Sequence, residues 1–408
     1  MHLAFGGCER LKMSTETLVH KAFRFDPYSP ANDADPFPAY ARLREEFPLF
    51  WCEEAGMWVL SRYHDILAAL QDWRTYSSAQ GNLVDELPGR AGATLGSTDP
   101  PRHDRLRALI QKAMLKSALE HTIEPLRLAA RGHIERLRGQ GRFDFVADFS
   151  SPLTIDLIFA LFDLPPNGRQ TVRDKAVLMT QTDPELRTKN ADQLAAYRWM
   201  THYAQGLAEE RKRNPGDDLL SNFITAEIDG ESLRDEEVQL TVTTLIMAGI
   251  ESLSGFLTMF GYNLATMPDM RRALVADPAR IPDAIEESLR FNTSAQRFRR
   301  CVQVETELHG KVMRPGDFVM LCYGSANRDP RKFDDADSYR LERRPKGHLG
   351  FGGGVHSCLG ANLARLACKV AAEELLAAVP DFAVAPGPIS WLPSSNFRSP
   401  QALYLDIG

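Results

Sequence analysis

The stretch of sequence that decides the fold is Phe351-Gly352-Gly353-Gly354-Val355-His356-Ser357-Cys358-Leu359-Gly360. Its three consecutive glycines allow the backbone to come close to a flat, bulky group. Cys358 immediately precedes a helix predicted from about Leu359 to Val379. The free N–H groups and the positive dipole end of a helix N-terminus stabilise a thiolate, so this cysteine has an unusual predicted environment.

A thiolate held in an apolar loop is a good axial ligand for haem iron, and its electron donation favours cleavage of an O–O bond. A bare cysteine after a glycine loop is more often a buried structural residue beside a turn, and that alternative stays open for the cysteine alone. The whole pattern from Phe351 to Gly360 favours the metal ligand.

Composition and charge exclude several classes of protein. Hydrophobic residues make up 44% of the 408 residues and charged residues 25%, which is typical of a globular chain. The net charge of −6 does not suggest nucleic-acid binding, and six cysteines without paired short spacings do not form a disulfide scaffold. No window approaches the roughly 18–20 uninterrupted apolar residues of a spanning helix, and no signal peptide is evident. We expect a cytoplasmic protein without a membrane anchor.

The pattern along the chain predicts a mainly α fold with small β-sheets. Residues 1–24 are interpreted as an N-terminal extension that could be disordered, and residues 25–408 as one domain. Helical patterns dominate from Arg102 to about Phe291, whereas strand patterns occur near the start, after residue 295 and at the end. Arg314–Asp317 is predicted to be a turn between two strands. The Gly- and Pro-rich stretch from Gln80 to Pro101 is too long for a mere connector, which indicates a functional loop.

The stretch from Phe351 to Gly360 resembles the haem-binding signature of the cytochrome P450 family, F-G-x-G-x-H-x-C-x-G, and matches it at every fixed position. The resemblance extends from about Phe25 to the C-terminus and is strongest to the soluble bacterial members. It implies a single catalytic domain in which haem b lies between a long central helix and the cysteine loop. Cys358 would be the axial thiolate ligand of the iron, with Phe351, Gly352 and Gly360 beside the haem.

An apolar segment from Thr243 to Ser254 carries a single acid, Glu251. A lone charge there is costly unless it has a use or a partner, although an exposed helix stripe is the alternative. The segment is similar to the family pattern A-G-x-(D/E)-T on the central helix. The resemblance implies that Ala248 keeps the distal face of the haem open and that Gly249 gives room for O2.

The next position departs from that pattern, because Ser252 stands where the family usually has threonine. The resemblance implies a proton relay in which Glu251 supplies protons and Ser252 positions water and the oxygen to be protonated. Serine keeps the hydroxyl but lacks the methyl group that restricts its rotamer. We therefore expect activity with some leakage of reducing equivalents to hydrogen peroxide.

Glu287 and Arg290 are three residues apart, so they share a helix face and can form an ion pair. Alone, this spacing is typical of a solvated surface pair. In the family the pair is buried and is joined by an arginine that precedes the haem loop. Arg343 fits that position, with Arg344 one residue away, and the implied role is to lock the loop that carries the cysteine.

His103 and Arg107 are four residues apart on a helix that two prolines begin. A solvated basic helix is the alternative interpretation. The family uses H-x-x-x-R at this place to hold the haem propionates. By the same resemblance, Arg300 and His356 are further propionate partners, because all four groups supply charge-assisted bonds to carboxylates.

By the same resemblance the substrate pocket is lined by Thr244, Met247, Ala295 and Phe397, which are mostly apolar or small and fit a small lipophilic substrate. Arg297 could meet a substrate carboxylate or point to solvent.

Electrons are expected from NAD(P)H through a separate reductase and a ferredoxin or flavodoxin. The chain has no candidate flavin or iron–sulfur module, and residues 100–142 carry ten Lys or Arg against four Asp or Glu. An ordinary solvated basic face remains the alternative to a docking surface.

The resemblance implies a haem-thiolate monooxygenase that inserts one atom of O2 by hydroxylation, dealkylation or epoxidation. A peroxide-driven peroxygenase and a haem-thiolate isomerase on the same fold are the alternatives within the class. A non-catalytic haem sensor is the alternative outside it, and the lack of a visible output module in the sequence argues against it.

Overall fold

Helices form most of the chain that this computed structural model describes, which is residues 23–216 and 218–407. In chain order, the helices are α1 Pro30–Ala34, α2 Phe37–Glu46, α3 Tyr63–Gln71, α4 Arg102–Gln111, α5 Lys116–Leu119, α6 Ile123–Glu135, α7 Ser151–Leu161, α8 Arg169–Thr180, α9 Ala191–Arg213, α10 Leu219–Ile224, α11 Asp235–Met247, α12 Leu253–Thr266, α13 Pro268–Ala276, α14 Ile281–Phe291, α15 Tyr323–Ala326 and α16 Ala361–Ala378.

The strands are short and fall into separate sheets. In chain order they are β1 Leu49–Cys52, β2 Met57–Leu60, β3 Tyr76–Ser77, β4 Arg142–Asp144, β5 Glu227–Ile228, β6 Glu231–Ser232, β7 Arg297–Val302, β8 Thr306–Leu308, β9 Lys311–Met313, β10 Phe318–Cys322, β11 Phe382–Val384 and β12 Tyr404–Ile407. One sheet has the order β1-β2-β10-β7-β3, in which only β2 and β10 are parallel, with Val319 opposite Trp58. The order β11-β12-β4 forms another sheet, and β5-β6 and β8-β9 are hairpins.

A 32-residue run from Asp235 to Thr266 forms the centre of the molecule. It consists of α11, a π-helical turn from Ala248 to Ser252, and α12. Three acidic residues in the first turn of α11 stabilise its N-terminus through the helix dipole. Within the described residues this is the single helix long and apolar enough to cross a membrane, but 67% of its apolar window is buried inside the protein, as expected of a core helix.

The prediction of a mainly α fold with small sheets is confirmed, and the turn at Arg314–Asp317 lies between β9 and β10 as expected. Helices dominate from Arg102 to Phe291 as predicted, and the range also contains β4 and the β5-β6 hairpin, which were not predicted. Each strand of these is too short to produce an alternating pattern. β4 forms because the distant β12 supplies its hydrogen bonds, with Leu405 opposite Phe143.

Residues 1–22 of the N-terminal extension lie outside the described residues. Phe23 is buried, and its ring stacks on that of Phe47 with centroids 5.0 Å apart. The largest hydrophobic core surrounds the central run and includes residues of α6, α7, α9, α14 and α16. This packing holds the central run opposite the loop that precedes α16.

Candidate active site between the central run and the Cys358 loop

A cavity of about 340 Å³ lies between the central run and the loop from Gly350 to Gly360. Ala248 and Cys358 are both exposed and both line this cavity, so their accessible surface faces its interior. The four residues predicted for the substrate pocket also line it, namely Thr244, Met247, Ala295 and Phe397. Ala295 and Phe397 are neighbours in an isolated antiparallel bridge. The structure therefore brings the cysteine, the open stretch of helix and the predicted pocket together.

The cysteine loop depends on glycine at a particular place. Gly354 has a φ of +64°, and a Cβ atom there would overlap the backbone carbonyl oxygen of Leu70. The loop closes through the N–H of Cys358, which donates to the carbonyl of Phe351 at 2.9 Å. The ring of Phe351 is held by the guanidinium of Arg365, 4.7 Å from its centroid. The sulfur of Cys358 is thereby fixed at the cavity wall.

The electrostatic surroundings of Cys358 differ from the simplest prediction. Burial raises the pKa of the Cys358 thiol, and the N–H of Gly360 with the charges of Arg107 and Arg365 opposes that effect. The N–H at the helix N-terminus thus favours the thiolate as predicted, and two arginines that were not predicted act in the same direction, but together they do not outweigh burial. A metal cation bound by Cys358 would supply the missing stabilisation, because a coordinating thiol loses its proton.

The four predicted propionate ligands line the same end of the cavity. The rings of His103 and His356 meet edge to face with centroids 4.4 Å apart, and Arg107 and Arg300 lie on the same wall. The Nε2 atoms of both histidines are buried without a hydrogen bond in the described structure, and that of His356 lies 3.9 Å from Oδ1 of Asp99. Burial lowers the pKa of His356 to about 4, with Arg300 and His103 acting in the same direction and Asp99 opposing. These donors fit an anionic group such as the carboxylates of a haem.

The central run contributes small and polar groups. The hydroxyl of Ser252 donates to the carbonyl of Ala248 one turn earlier, within the π-helical turn. From the sequence, glycine at position 249 is expected to give room for O2. The structure adds a packing reason, because a Cβ atom there would lie 2.7 Å from Cδ1 of Ile158 on α7. Both residues line the cavity.

Glu251 is buried, and burial raises its pKa to about 7, with the charge of Arg173 opposing. Glu251 lines the cavity beside Cys358 and also a second cavity of about 380 Å³. That second cavity is lined by polar side chains, which include Arg173, Gln181, Ser254, Ser399 and Gln401. The acid therefore stands between two spaces, one mainly apolar and the other polar.

A buried ion cluster supports the cysteine loop. Glu287 and Arg290 are fully buried and joined by two hydrogen bonds of 2.7 and 2.9 Å, and Nε of Arg343 donates to Glu287 at 3.0 Å. Arg344 instead pairs with Asp283 on the surface. Between the two arginine candidates, the structure therefore brings Arg343 to the cluster.

Sequence reasoning missed the residues that connect this cluster to the loop. Arg290 Nη1 donates to the carbonyl of Asn327, whose side-chain oxygen accepts from the N–H of Leu349 at 2.6 Å. Glu286 accepts from Arg365 at 2.6 Å and contacts His348 Nε2 at 3.0 Å, so α14 holds both sides of the loop. The sequence feature that could have indicated this role for Glu286 is its position next to Glu287.

The structure also decides between the two alternatives predicted for Arg297. Arg297 does not point to solvent, since it is fully buried, and it does not line the cavity. Successive residues of a strand face opposite sides, and Phe298 and Arg300 are on the cavity side of β7.

The basic segment 100–142 is partly neutralised by acids elsewhere in the chain. Its Arg127 and Arg131 pair with Glu373 and Glu374 of α16, so this surface is less positive than the composition of the segment indicates.

A cysteine loop that faces an open stretch of a central helix, with buried basic groups along the same cavity, defines a haem-thiolate type of site. The model of the family described as Cytochrome P450 matches residues 147–379. The chain is 34% identical over 91% of its length to putative cytochrome P450 123 of Mycobacterium tuberculosis, covering 94% of that protein. It is 34% identical over 92% of its length to nocardicin C N-oxygenase of Nocardia uniformis, covering 97% of that protein.

Among solved structures, the chain resembles Mycobacterium marinum cytochrome P450 CYP268A2 in complex with pseudoionone. The TM-score is 0.85, the sequence identity is 29%, and the match covers 94% of this chain and 99% of that one. The chain belongs to the cytochrome P450 family. The family is one of haem monooxygenases with cysteine-thiolate ligation, so the protein is a monooxygenase enzyme.

Proposed function

We propose that Cys358 binds the iron of haem b and that the enzyme inserts one oxygen atom of O2 into a small lipophilic substrate, with electrons from NAD(P)H. The observation that carries this proposal is the position of Cys358 across one cavity from Ala248, with two histidine Nε2 atoms on the cavity lining that make no hydrogen bond in the described structure. His103, Arg107, Arg300 and His356 would hold the haem propionates. Phe351, Gly352 and Gly360 would border the haem on the cysteine side.

Haem with a thiolate ligand supplies activation of O2 through cleavage of its O–O bond. The protein must bring protons to that chemistry and keep bulk water out of it. Ala248 has only a methyl group as its side chain and Gly249 has none, so they leave room beside the haem for a diatomic molecule. Leu161, Phe298 and other apolar side chains of the cavity wall exclude water from the substrate.

Glu251 and Ser252 are the residues that move protons. Because its pKa is about 7, the Glu251 carboxyl group both holds and releases a proton near neutral pH, which suits a general acid. Its contact with the polar second cavity gives it a route to be protonated again from solvent. Ser252 then passes the proton on from its position in the π-helical turn.

The cavity walls indicate the kind of substrate, and the basic segment 100–142 indicates the kind of electron donor. The apolar walls of the cavity fit a lipophilic molecule, and the relative CYP268A2 was solved with pseudoionone. The exposed Lys112 and Lys116 are on the basic segment after α4, which suits docking of an acidic ferredoxin or flavodoxin.

Reconstitution with a ferredoxin, its reductase and NADPH tests the proposal. A panel of lipophilic compounds is first screened for a shift of the haem Soret band, and the compounds that bind are then assayed for oxygenated product under 18O2. We expect one labelled oxygen atom in the product and slower turnover in Glu251→Gln. Turnover with hydrogen peroxide but none with the redox partners would overturn the proposal in favour of a peroxygenase.

A further inference from the structure

The cavity has a polar end away from Cys358, and the proposed function does not use it. Arg90 and Asn82 from the Gln80–Pro101 loop line this end, together with Thr241 of α11. Thr241 precedes Ala248 by two helical turns on the same face, which places it about 10 Å along the axis from the residue opposite the cysteine.

Arg90 is buried here with only part of its guanidinium occupied. Its side chain is 3% exposed, and Nη1 donates to Glu86 at 2.7 Å and to Asn82 Oδ1 at 2.9 Å. Nη2 also donates to Asn82, whereas the buried Nε has no partner in the described structure. Because the oxygen of Asn82 is taken by Arg90, its amide nitrogen remains as a further donor. A buried guanidinium nitrogen without an acceptor is costly, so this end of the cavity requires an acceptor.

Two buried hydroxyl groups also lack a hydrogen-bond partner in the described structure. Thr241 is 1% exposed, and its hydroxyl has no partner in the described structure. Tyr197 on α9 is also buried with an unpartnered hydroxyl, and both Arg90 and Glu236 at the start of α11 lie close enough to act on it electrostatically. Burial raises the pKa of Tyr197 to about 12, so its hydroxyl keeps its proton and can donate.

The cations around this end have carboxylate neighbours. Arg90 pairs with Glu86, and Lys189 pairs with Asp85 at 3.0 Å. Arg299, which interacts electrostatically with both acids, adds a third cation against the two carboxylates. Glu236, which acts on Tyr197, is a third carboxylate, so the acceptor is called for by the unpartnered Nε of Arg90 and hydroxyl of Thr241 rather than by a surplus of charge.

We propose that the substrate is a lipophilic carboxylic acid whose carboxylate binds Arg90 and Thr241. Its apolar body spans about 10 Å, from Thr241 to the place beside Ala248 where oxidation occurs. Asn82 is within the same wall and adds a neutral donor. This inference rests on the proposed function, since it names the substrate class of that same cavity.

The test compares acids with neutral molecules of the same shape. Decanoic acid and 4-phenylbutanoic acid are titrated into the haem-loaded protein at pH 7.5, each against its methyl ester and its primary amide. Binding is followed by isothermal titration calorimetry and by the Soret shift. We expect each acid that binds to have a Kd at least about tenfold below that of its ester and amide, since a hydrogen bond to a charged group contributes that much.

Substitutions test which residues cause the preference for acids over esters and amides. Arg90→Gln should remove the preference for acids, and Arg90→Lys should retain part of it. The double variant E86Q/R90Q removes both charges of the pair, so it tests the same loss without leaving Glu86 unpaired. Thr241→Val should weaken the binding of acids about tenfold with little effect on esters. Thr243→Val is the matched control, because Thr243 lies on the same helix, does not line the cavity and donates to the carbonyl of Gln239.

The outcomes separate this inference from the proposed function. A protein that gives the haem-thiolate spectrum when reduced under carbon monoxide, but binds no acid in the panel more tightly than its amide, overturns the inference alone. The inference is equally overturned if nothing in the panel binds, or if acid affinity is unchanged in Arg90→Gln and Thr241→Val, in which case this end of the cavity holds only water. Loss of the thiolate spectrum itself would overturn the proposed function instead.

Discussion

Replacing Glu251 with glutamine should change how the stability of the enzyme depends on pH. Burial raises the pKa of Glu251 to about 7, whereas in the unfolded chain the group titrates near its ordinary value of 4.5. Between these two values the unfolded chain loses the proton while the folded protein keeps it. The folded state then binds more protons, so the free energy of unfolding falls as the pH rises through this window.

The size of the effect follows from the two pKa values. An interval from 4.5 to about 7, at about 1.4 kcal/mol for each pH unit, makes the loss about 3 kcal/mol in the wild type. Glutamine does not titrate, so Glu251→Gln lacks this loss. Other groups titrate equally in both proteins, and the difference between the two isolates Glu251.

Urea unfolding of the haem-loaded protein, followed by far-ultraviolet circular dichroism at pH 5, 6, 7 and 8, measures this difference. From pH 5 to pH 8 the variant should gain about 2–3 kcal/mol relative to the wild type. Glu305→Gln, at an exposed position before β8, is the control and should follow the wild type. Parallel pH profiles for the wild type and Glu251→Gln would refute the reasoning that burial controls this carboxyl group.

Three other substitutions test separate parts of the site. Arg343→Met removes a charge-assisted hydrogen bond to the buried Glu287, which keeps its pair with Arg290, and should lower the free energy of unfolding by about 1.5–3 kcal/mol in urea titrations. Arg344→Met, whose side chain is 75% exposed, should change it by less than about 0.5 kcal/mol, and equal effects would contradict the assignment. Gly354→Ala should lower the melting temperature and the haem content because its Cβ overlaps backbone, whereas Gly141→Ala, at an exposed position with nothing within 4 Å of an added Cβ, should melt like the parent. Ser252→Ala should raise hydrogen peroxide release for each NADPH consumed and lower product formation, and unchanged coupling would remove Ser252 from the proton relay.

The sequence allowed the site to be predicted in more detail than the fold. The signature from Phe351 to Gly360, the acid at 251 and the Glu287–Arg290 spacing are local patterns, and the structure brings these residues to one cavity or to its supporting cluster. β4 could not be predicted, because its three residues form a strand only through pairing with β12, at the far end of the chain.

Side-chain partners were predicted less well than positions. The sequence left Arg343 and Arg344 as neighbouring candidates, and the choice between them depends on how the irregular backbone before the loop turns. The role of Asn327 as the connection to the loop and the burial of Arg297 depend likewise on long-range packing. The direction of the Cys358 pKa required the balance of burial against neighbouring charges, which no local pattern contains.

The measurement that tests the central claim most directly is the absorbance spectrum of the reduced, carbon-monoxide-treated protein. We predict the red-shifted Soret band that thiolate ligation produces, its loss in Cys358→Ala, and its retention in Cys368→Ala, where the thiol is buried in the core away from the cavity. A wild-type protein that binds haem without this band, or a Cys358→Ala variant that keeps it, would contradict thiolate ligation by Cys358.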